Sequence, residues 1–149
     1  MLRPLVSKVL SGTDILSLQE LVRKVPIADH VSRYAVRLTR STRRGEDNDL
    51  NFIRDYVSWG AGPRASQYLV LAAKARAVLH GAYHVSTEDI RAVAGPVLRH
   101  RIITNFNAEA EGIKPDDIVG RLIKAIPVDE HEAEQSGKLP KIFRSANVS

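Results

Sequence analysis

Gly60-Ala61-Gly62-Pro63-Arg64-Ala65-Ser66-Gln67-Tyr68-Leu69-Val70-Leu71-Ala72-Ala73-Lys74-Ala75-Arg76-Ala77-Val78-Leu79-His80-Gly81 is the most strongly patterned stretch of the chain. Two glycines lead into a proline, and proline suits the first position of a helix because the N–H it lacks would be unpaired there anyway. Alanine, the best helix former, recurs at 65, 72, 73, 75 and 77 and lets a neighbouring helix approach closely. The pattern predicts a helix from Pro63 to about His80, roughly 27 Å long at the usual rise per residue. Tyr68, Leu71, Ala75 and Val78 form its apolar stripe, and Gly81 is its expected C-terminal cap.

The segments on either side are helical too. Upstream, Ser17 and Glu20 have the spacing of a capping box, and Leu18, Leu21, Val22 and Val25 follow at helical spacing before Pro26 ends the run. Asp29 is the expected cap of a second helix, in which Val31, Tyr34, Ala35 and Leu38 share one face. Arg33, Arg37, Arg40, Arg43 and Arg44 occupy its other side and its end, and Gly45 closes it. Asp47-Asn48-Asp49 reads as a turn. Phe52, Tyr56 and Trp59 then fall at helical spacing and predict a short helix over 51–59.

Downstream, Ser86-Thr87-Glu88-Asp89 caps a helix carrying Ile90, Val93 and Ala94. Gly95-Pro96 is expected to break it before a short helix through Val97, Leu98 and His100. Residues 101–113 have no clear pattern. Pro115-Asp116-Asp117 opens a last helix with Ile118, Leu122 and Ile126 on its buried face, and Pro127 ends it. The expectation is an all-α fold, a small helical bundle over 17–127, with an irregular lead-in over 1–16 and a flexible tail over 128–149. In that tail an acidic run, Asp129 to Glu134, gives way to Lys138, Lys141 and Arg144.

Composition sets bounds on function. At 149 residues the chain is long enough for one self-sufficient core, burying roughly 70% of its unfolded surface. Apolar residues make up 44% and charged residues 26%, which excludes a disordered or fibrous bulk. Aromatics at 5% argue against a β-sandwich or a base-stacking surface. With no cysteine there can be no disulfide, thiolate metal site or thiol nucleophile. No apolar run approaches the ~18–20 residues of a membrane span. The expectation is a soluble, basic, cytoplasmic domain, its net charge of +5 coming from 22 Lys+Arg against 17 Asp+Glu.

The strongest chemical signal is again Gly60, Gly62, Pro63 and Arg64. A helix N-terminus presents free N–H groups and a positive dipole end to an anion, and an arginine in its first turn adds a bidentate donor suited to phosphate. The bland alternative is a tight turn with Arg64 facing solvent. Against that, an arginine at this end opposes the dipole and needs a compensating anion. There is no G-x-x-x-x-G-K-[ST] phosphate loop, no G-x-G-x-x-G and no H-E-x-x-H. Gly81 separates His80 from His84, and His30, His100 and His131 have no ligand spacing, so no metal site is expected. Ser66 and Ser86 read as helix-start residues rather than nucleophiles. Arg99-His100-Arg101 with Arg33 through Arg44 could form a nucleic-acid patch, though a solvated or partner-facing surface is the simpler reading.

Several segments, in this order, carry a resemblance: Val9 to Ile15 (VLSGTDI), Val25 to His30 (VPIADH), Leu38 to Arg43 (LTRSTR), Trp59 to Ser66 (WGAGPRAS), His84 to Ile90 (HVSTEDI) and Pro96 to Arg101 (PVLRHR). Together they resemble the C-terminal lid of MoxR-family AAA+ ATPases over about Val9 to Pro127. The resemblance implies a small all-α lid that follows an α/β nucleotide-binding core. It identifies Arg64 with the sensor-2 arginine of the family's G-x-S-P-R-A motif, which reaches ATP phosphate from the lid side. Gly62 departs from the motif's serine, but glycine is also an acceptable cap.

The resemblance further implies ATP as cofactor, with Mg2+ bound by the core domain, and that core as a partner in cis. It also implies a homo-oligomeric ring, a chaperone-like role in remodelling or metal insertion, and a von Willebrand factor A domain protein as partner. On this reading the chain is a fragment of an ATPase, cut just before the lid and not catalytic alone. The competing reading is a stand-alone basic helical module that binds nucleic acid or serves as an adaptor.

Overall fold

The computed structural model describes residues 7–45 and 49–128. Among these the protein is mostly helical, with seven helices and one two-stranded sheet. In chain order they are α1 (Gly12–Lys24), α2 (Asp29–Arg40), α3 (Asn51–Tyr56), β1 (Val57–Trp59), α4 (Arg64–Leu79), α5 (Thr87–Leu98), β2 (Ile103–Thr104), α6 (Phe106–Ala110) and α7 (Pro115–Ala125). The expected acid-to-base tail beyond residue 128, the turn at Asp47-Asn48 and the first six residues of the lead-in lie outside the described residues.

Helix α4 is the central element. Its most extensive packing is against α5, and it also meets α2 and α1, while α5 carries α7 on another side. The face α4 buries is Ala65, Leu69, Ala73 and Ala77, all almost completely inaccessible. The expected stripe through Tyr68 and Leu71 is instead only about half buried, at 48% and 44% exposure. Close packing explains the correction. A row of alanines with one leucine lets the α5 backbone approach, whereas tyrosine and leucine would hold it off. Leu38, Ile53, Val57, Ile90, Leu98, Ile118 and Leu122 fill the core around this contact.

Helix ends follow local chemistry, with some shifts from expectation. The capping box of α1 is made by Ser11 and Asp14, not by Ser17 and Glu20, so the helix begins at Gly12. Asp14 Oδ2 accepts from Ser11 N–H at 2.7 Å, and Ser11 Oγ accepts from Asp14 N–H at 3.1 Å. In α2 the cap position is Ala28, and Asp29 is the first helical residue, where its charge favours the dipole. The predicted face Val31, Tyr34, Ala35 and Leu38 is buried as expected. The helix ends at Arg40 rather than near Gly45, because Thr42 and Arg43 turn away to bond another loop. Helix α4 ends in a Schellman motif: Gly81, at φ +70°, donates to Val78 O at 3.0 Å and Ala82 donates to Ala77 O at 2.8 Å.

Two further expectations are corrected. Helix α5 runs unbroken through Gly95 and Pro96. Pro96 leaves the carbonyl of Ala92 without its helical donor, but Ala92 is exposed and water can serve instead. Meanwhile Ile90, Ala94, Val97 and Leu98 hold the helix to the core from both sides of the proline. The predicted helix over 51–59 ends at Tyr56, and Val57–Trp59 pairs antiparallel with Ile103–Thr104. The partner strand lies in the stretch that had no pattern of its own. In α7 the predicted face Ile118, Leu122 and Ile126 is buried, and Asp117 accepts from the Lys114 N–H at 2.8 Å at the helix start.

Candidate functional site

The loop between β1 and α4 is held at two consecutive residues and open at the next three. Gly60 lies so close to the end of α2 that an added Cβ would stand 2.3 Å from the Thr42 carbonyl oxygen and 2.8 Å from the Arg43 Cα. Only glycine fits that approach. Ala61 follows with its side chain fully buried. Its N–H donates to Thr42 Oγ1 at 2.8 Å, and its carbonyl accepts from Arg43 Nε at 2.8 Å. Thr42, itself inaccessible, donates its hydroxyl to the Thr39 carbonyl at 2.7 Å, so its one hydroxyl is satisfied in both directions.

After that clamp the chain emerges. Gly62, Pro63 and Arg64 are exposed. Pro63 already has helical dihedrals, with φ −57° and ψ −31°, and immediately precedes the first residue of α4. Ser66 closes the first turn, its Oγ donating to the Pro63 carbonyl at 2.7 Å, as expected of a helix-start residue. Arg64 stands at the N-terminal end of α4 and has no hydrogen bond, ion pair or aromatic partner among the described residues. An open cleft of about 450 Å³ lies along the preceding loop, between Arg43 and Arg44 on one side and Ser58 through Pro63 on the other. Trp59, 68% exposed, forms part of its wall.

Arg64 is not among the residues that line this cleft, whereas Gly60, Gly62 and Pro63 come together with Thr42 and Arg43. The last two were not singled out as site residues from the sequence. They belong to the Leu38–Arg43 segment of the resemblance, but nothing local marks them as contacts of a loop 18 residues away.

Two arginines of the candidate nucleic-acid patch, Arg99 and Arg101, have partners within the fold. Arg99 Nε pairs with Asp116 Oδ1 at 3.2 Å and donates to the Gly95 carbonyl at 3.2 Å. The Arg101 guanidinium lies over the Tyr68 ring at 4.9 Å and bonds the Val97 carbonyl. His80, His84 and His100 are all exposed, and no group of three or more metal-ligating side chains occurs among the described residues. Ser86 caps α5, its Oγ accepting from Asp89 N–H at 3.2 Å. No helix among the described residues is long and apolar enough to cross a membrane.

Residues 52–122, from α3 through most of α7, match the family of AAA lid domains. The chain carries an AAA lid. The lid resembles the ATPases of the MoxR chaperone family along most of its length. It is 30% identical to the chaperone MoxR1 of Mycobacterium tuberculosis, over 96% of this chain and 38% of that protein. It is 32% identical to the uncharacterised protein YeaC of Bacillus subtilis, over 80% of this chain and 35% of that protein. It shares 38% identity with the protein MoxR of Paracoccus denitrificans over 48% of this chain and 22% of that protein. A crystal structure of a Cytophaga hutchinsonii protein described as an ATPase superposes with a TM-score of 0.76 at 34% identity, covering 81% of this chain and 37% of that one. The lid chain thus spans less than two fifths of the length of each of these relatives.

Proposed function

We propose that this lid works within a MoxR-like AAA+ ATPase and that Arg64 is its sensor-2 arginine, contacting ATP phosphate from the lid side. The observation that carries the reading is Arg64 itself. It is an exposed guanidinium, without a partner among the described residues, at the start of a 16-residue helix, directly after a loop that the fold immobilises. A cation there is disfavoured by the helix dipole, and a phosphate would supply the missing countercharge to the arginine. Gly60, Gly62 and Pro63 support it by giving the backbone a close approach and a defined helix start.

The mechanism is electrostatic. Phosphoryl transfer is catalysed chiefly by positioning and charge stabilisation. ATP and Mg2+ would be held by a nucleotide-binding core domain, and bound ATP supplies the phosphoryl group. Arg64 neutralises phosphate charge while nucleotide triphosphate is present and loses that partner after hydrolysis, which changes the angle of the lid. In a homo-oligomeric ring such a rotation passes to the neighbouring subunit. The remodelling or metal-insertion role, the ring and a von Willebrand factor A domain partner all belong to this proposal, and the likeness to a protein named as the chaperone MoxR1 supports its chaperone-like part.

The test is Arg64→Ala in the full-length ATPase. ATP turnover should fall by about 100- to 1000-fold, the range for removing one preorganised donor to developing charge, while the thermal transition of the protein stays put. Unchanged turnover would remove Arg64 from the site.

A further inference from the structure

We propose that Thr42 is a positioning residue for Arg64, acting through the peptide group of Ala61. This rests on the sensor-2 reading above and extends it to a residue at the end of a different helix. Both backbone polar groups of Ala61, in the two peptide units that flank its Cα, are held from consecutive residues of one turn: its N–H by Thr42 Oγ1 at 2.8 Å, its carbonyl by Arg43 Nε at 2.8 Å. Gly60 lies flat on the Thr42 carbonyl, so the loop cannot slide toward α2. The Ala61 side chain is wholly buried, so the loop cannot lift away without exposing it.

Three residues after Ala61 comes Arg64, and the only residues between are Gly62 and Pro63, of which proline has little freedom in φ. The Thr42 hydroxyl therefore anchors the lead-in to Arg64 from the α2 side, while the buried Ala65 and Leu69 hold the helix that Arg64 begins. That hydroxyl is in turn aimed by its own bond to the Thr39 carbonyl at 2.7 Å, one turn back in α2. The consequence is that α2 and the start of α4 move as one body. Rotation of the lid carries Arg64 with it instead of being absorbed in a flexible loop.

The closing experiment is a double-mutant cycle in the full-length ATPase, reading kcat and KM for ATP. Thr42→Val keeps the shape of the side chain but leaves the Ala61 N–H without an acceptor, and Thr42→Ser keeps the hydroxyl. With Arg64 present, Thr42→Val should lower kcat by about 10- to 100-fold, as misplacement of a charged group by about 1 Å does, and Thr42→Ser should recover turnover to within a few-fold of the parent. In the Arg64→Ala background Thr42→Val should change turnover by less than about 2-fold, because two residues acting through one contact are not additive. An equal loss in both backgrounds would overturn the inference and make Thr42 merely structural. So would a full rate for Thr42→Val beside a crippled Arg64→Ala. If Arg64→Ala alone leaves turnover unchanged, the sensor-2 reading falls and this one with it.

Discussion

Gly60 and Thr42 are in backbone contact: a methyl group on the glycine would stand 2.3 Å from the threonine carbonyl oxygen. Backbone cannot yield as a flexible side chain can, so Gly60→Ala must displace the loop or the end of α2. The expected cost is about 1–3 kcal/mol, as for overpacking in a tight core. Gly62, two residues on, meets nothing within 4 Å, and Gly62→Ser should leave stability within about 0.5 kcal/mol of the parent. Urea unfolding of the two variants side by side checks the contrast. Equal stabilities would mean that the Gly60 approach is not a constraint.

Asp89 joins two elements, and its removal should be felt in both. It is buried, caps α5 by accepting from the Ser86 N–H at 2.9 Å, and forms an ion pair with Arg76 of α4. Burial pushes its carboxyl up, but the Ser86 N–H and hydroxyl together with the Arg76 guanidinium outweigh that and hold it below the ordinary value of 3.8. A depressed carboxyl contributes stability that is complete above its unfolded value and is lost as pH falls through the lower folded value. Asp89→Asn should therefore cost about 2 kcal/mol near neutral pH and should show a shallower loss of stability than the parent as pH drops below about 4. Parallel pH-stability curves for the two proteins would show that this carboxylate is not one of the acid-sensitive groups.

The buried face of α4 can be tested by size. Ala73 is fully inaccessible and Leu71 is 44% exposed. Ala73→Leu should destabilise by about 1–3 kcal/mol through overpacking against α5. Leu71→Ala should cost less, about 1 kcal/mol, since nearly half of the residue is already in solvent. Thermal melts that rank the two variants the other way would restore the stripe expected from the sequence.

Pro96 is tolerated in α5 rather than required there. Pro96→Ala returns an N–H to the Ala92 carbonyl and removes a residue that costs about 3 kcal/mol in a free helix interior. Part of that gain is offset because the unfolded chain loses the stiffening effect of proline. A net stabilisation of about 1–2 kcal/mol is expected, read as a higher urea midpoint with unchanged slope. A lower midpoint would mean that the ring itself packs usefully at the surface.

Much of the helical skeleton was legible locally. Val31, Tyr34, Ala35 and Leu38 repeat at one-turn spacing, and so do Ile118, Leu122 and Ile126, and both sets are buried. Pro63 and Gly81 bracket α4 as their backbone preferences dictate. The candidate site was legible only in part. Gly60 through Arg64 stood out as a unit, whereas Thr42 and Arg43 did not, because a hydrogen bond between residues 19 apart leaves no periodic trace. The two strands were missed for the same reason. Val57 to Trp59 continues a helical spacing, and only pairing with Ile103 and Thr104 turns it into a strand.

The sequence by itself determined that the chain is helical, where α4 begins and ends, and which faces of α2 and α7 are buried, since caps, prolines and apolar spacing act over a few residues. Tertiary structure alone decided which face of α4 goes inside, whether α5 survives Pro96, and how the end of α2 grips the loop before α4. Each of those depends on what another element brings within a few ångströms. For α4 it is the close approach of α5 that selects the alanine row over the larger side chains. For the loop it is one buried hydroxyl, from Thr42, reaching the backbone of Ala61.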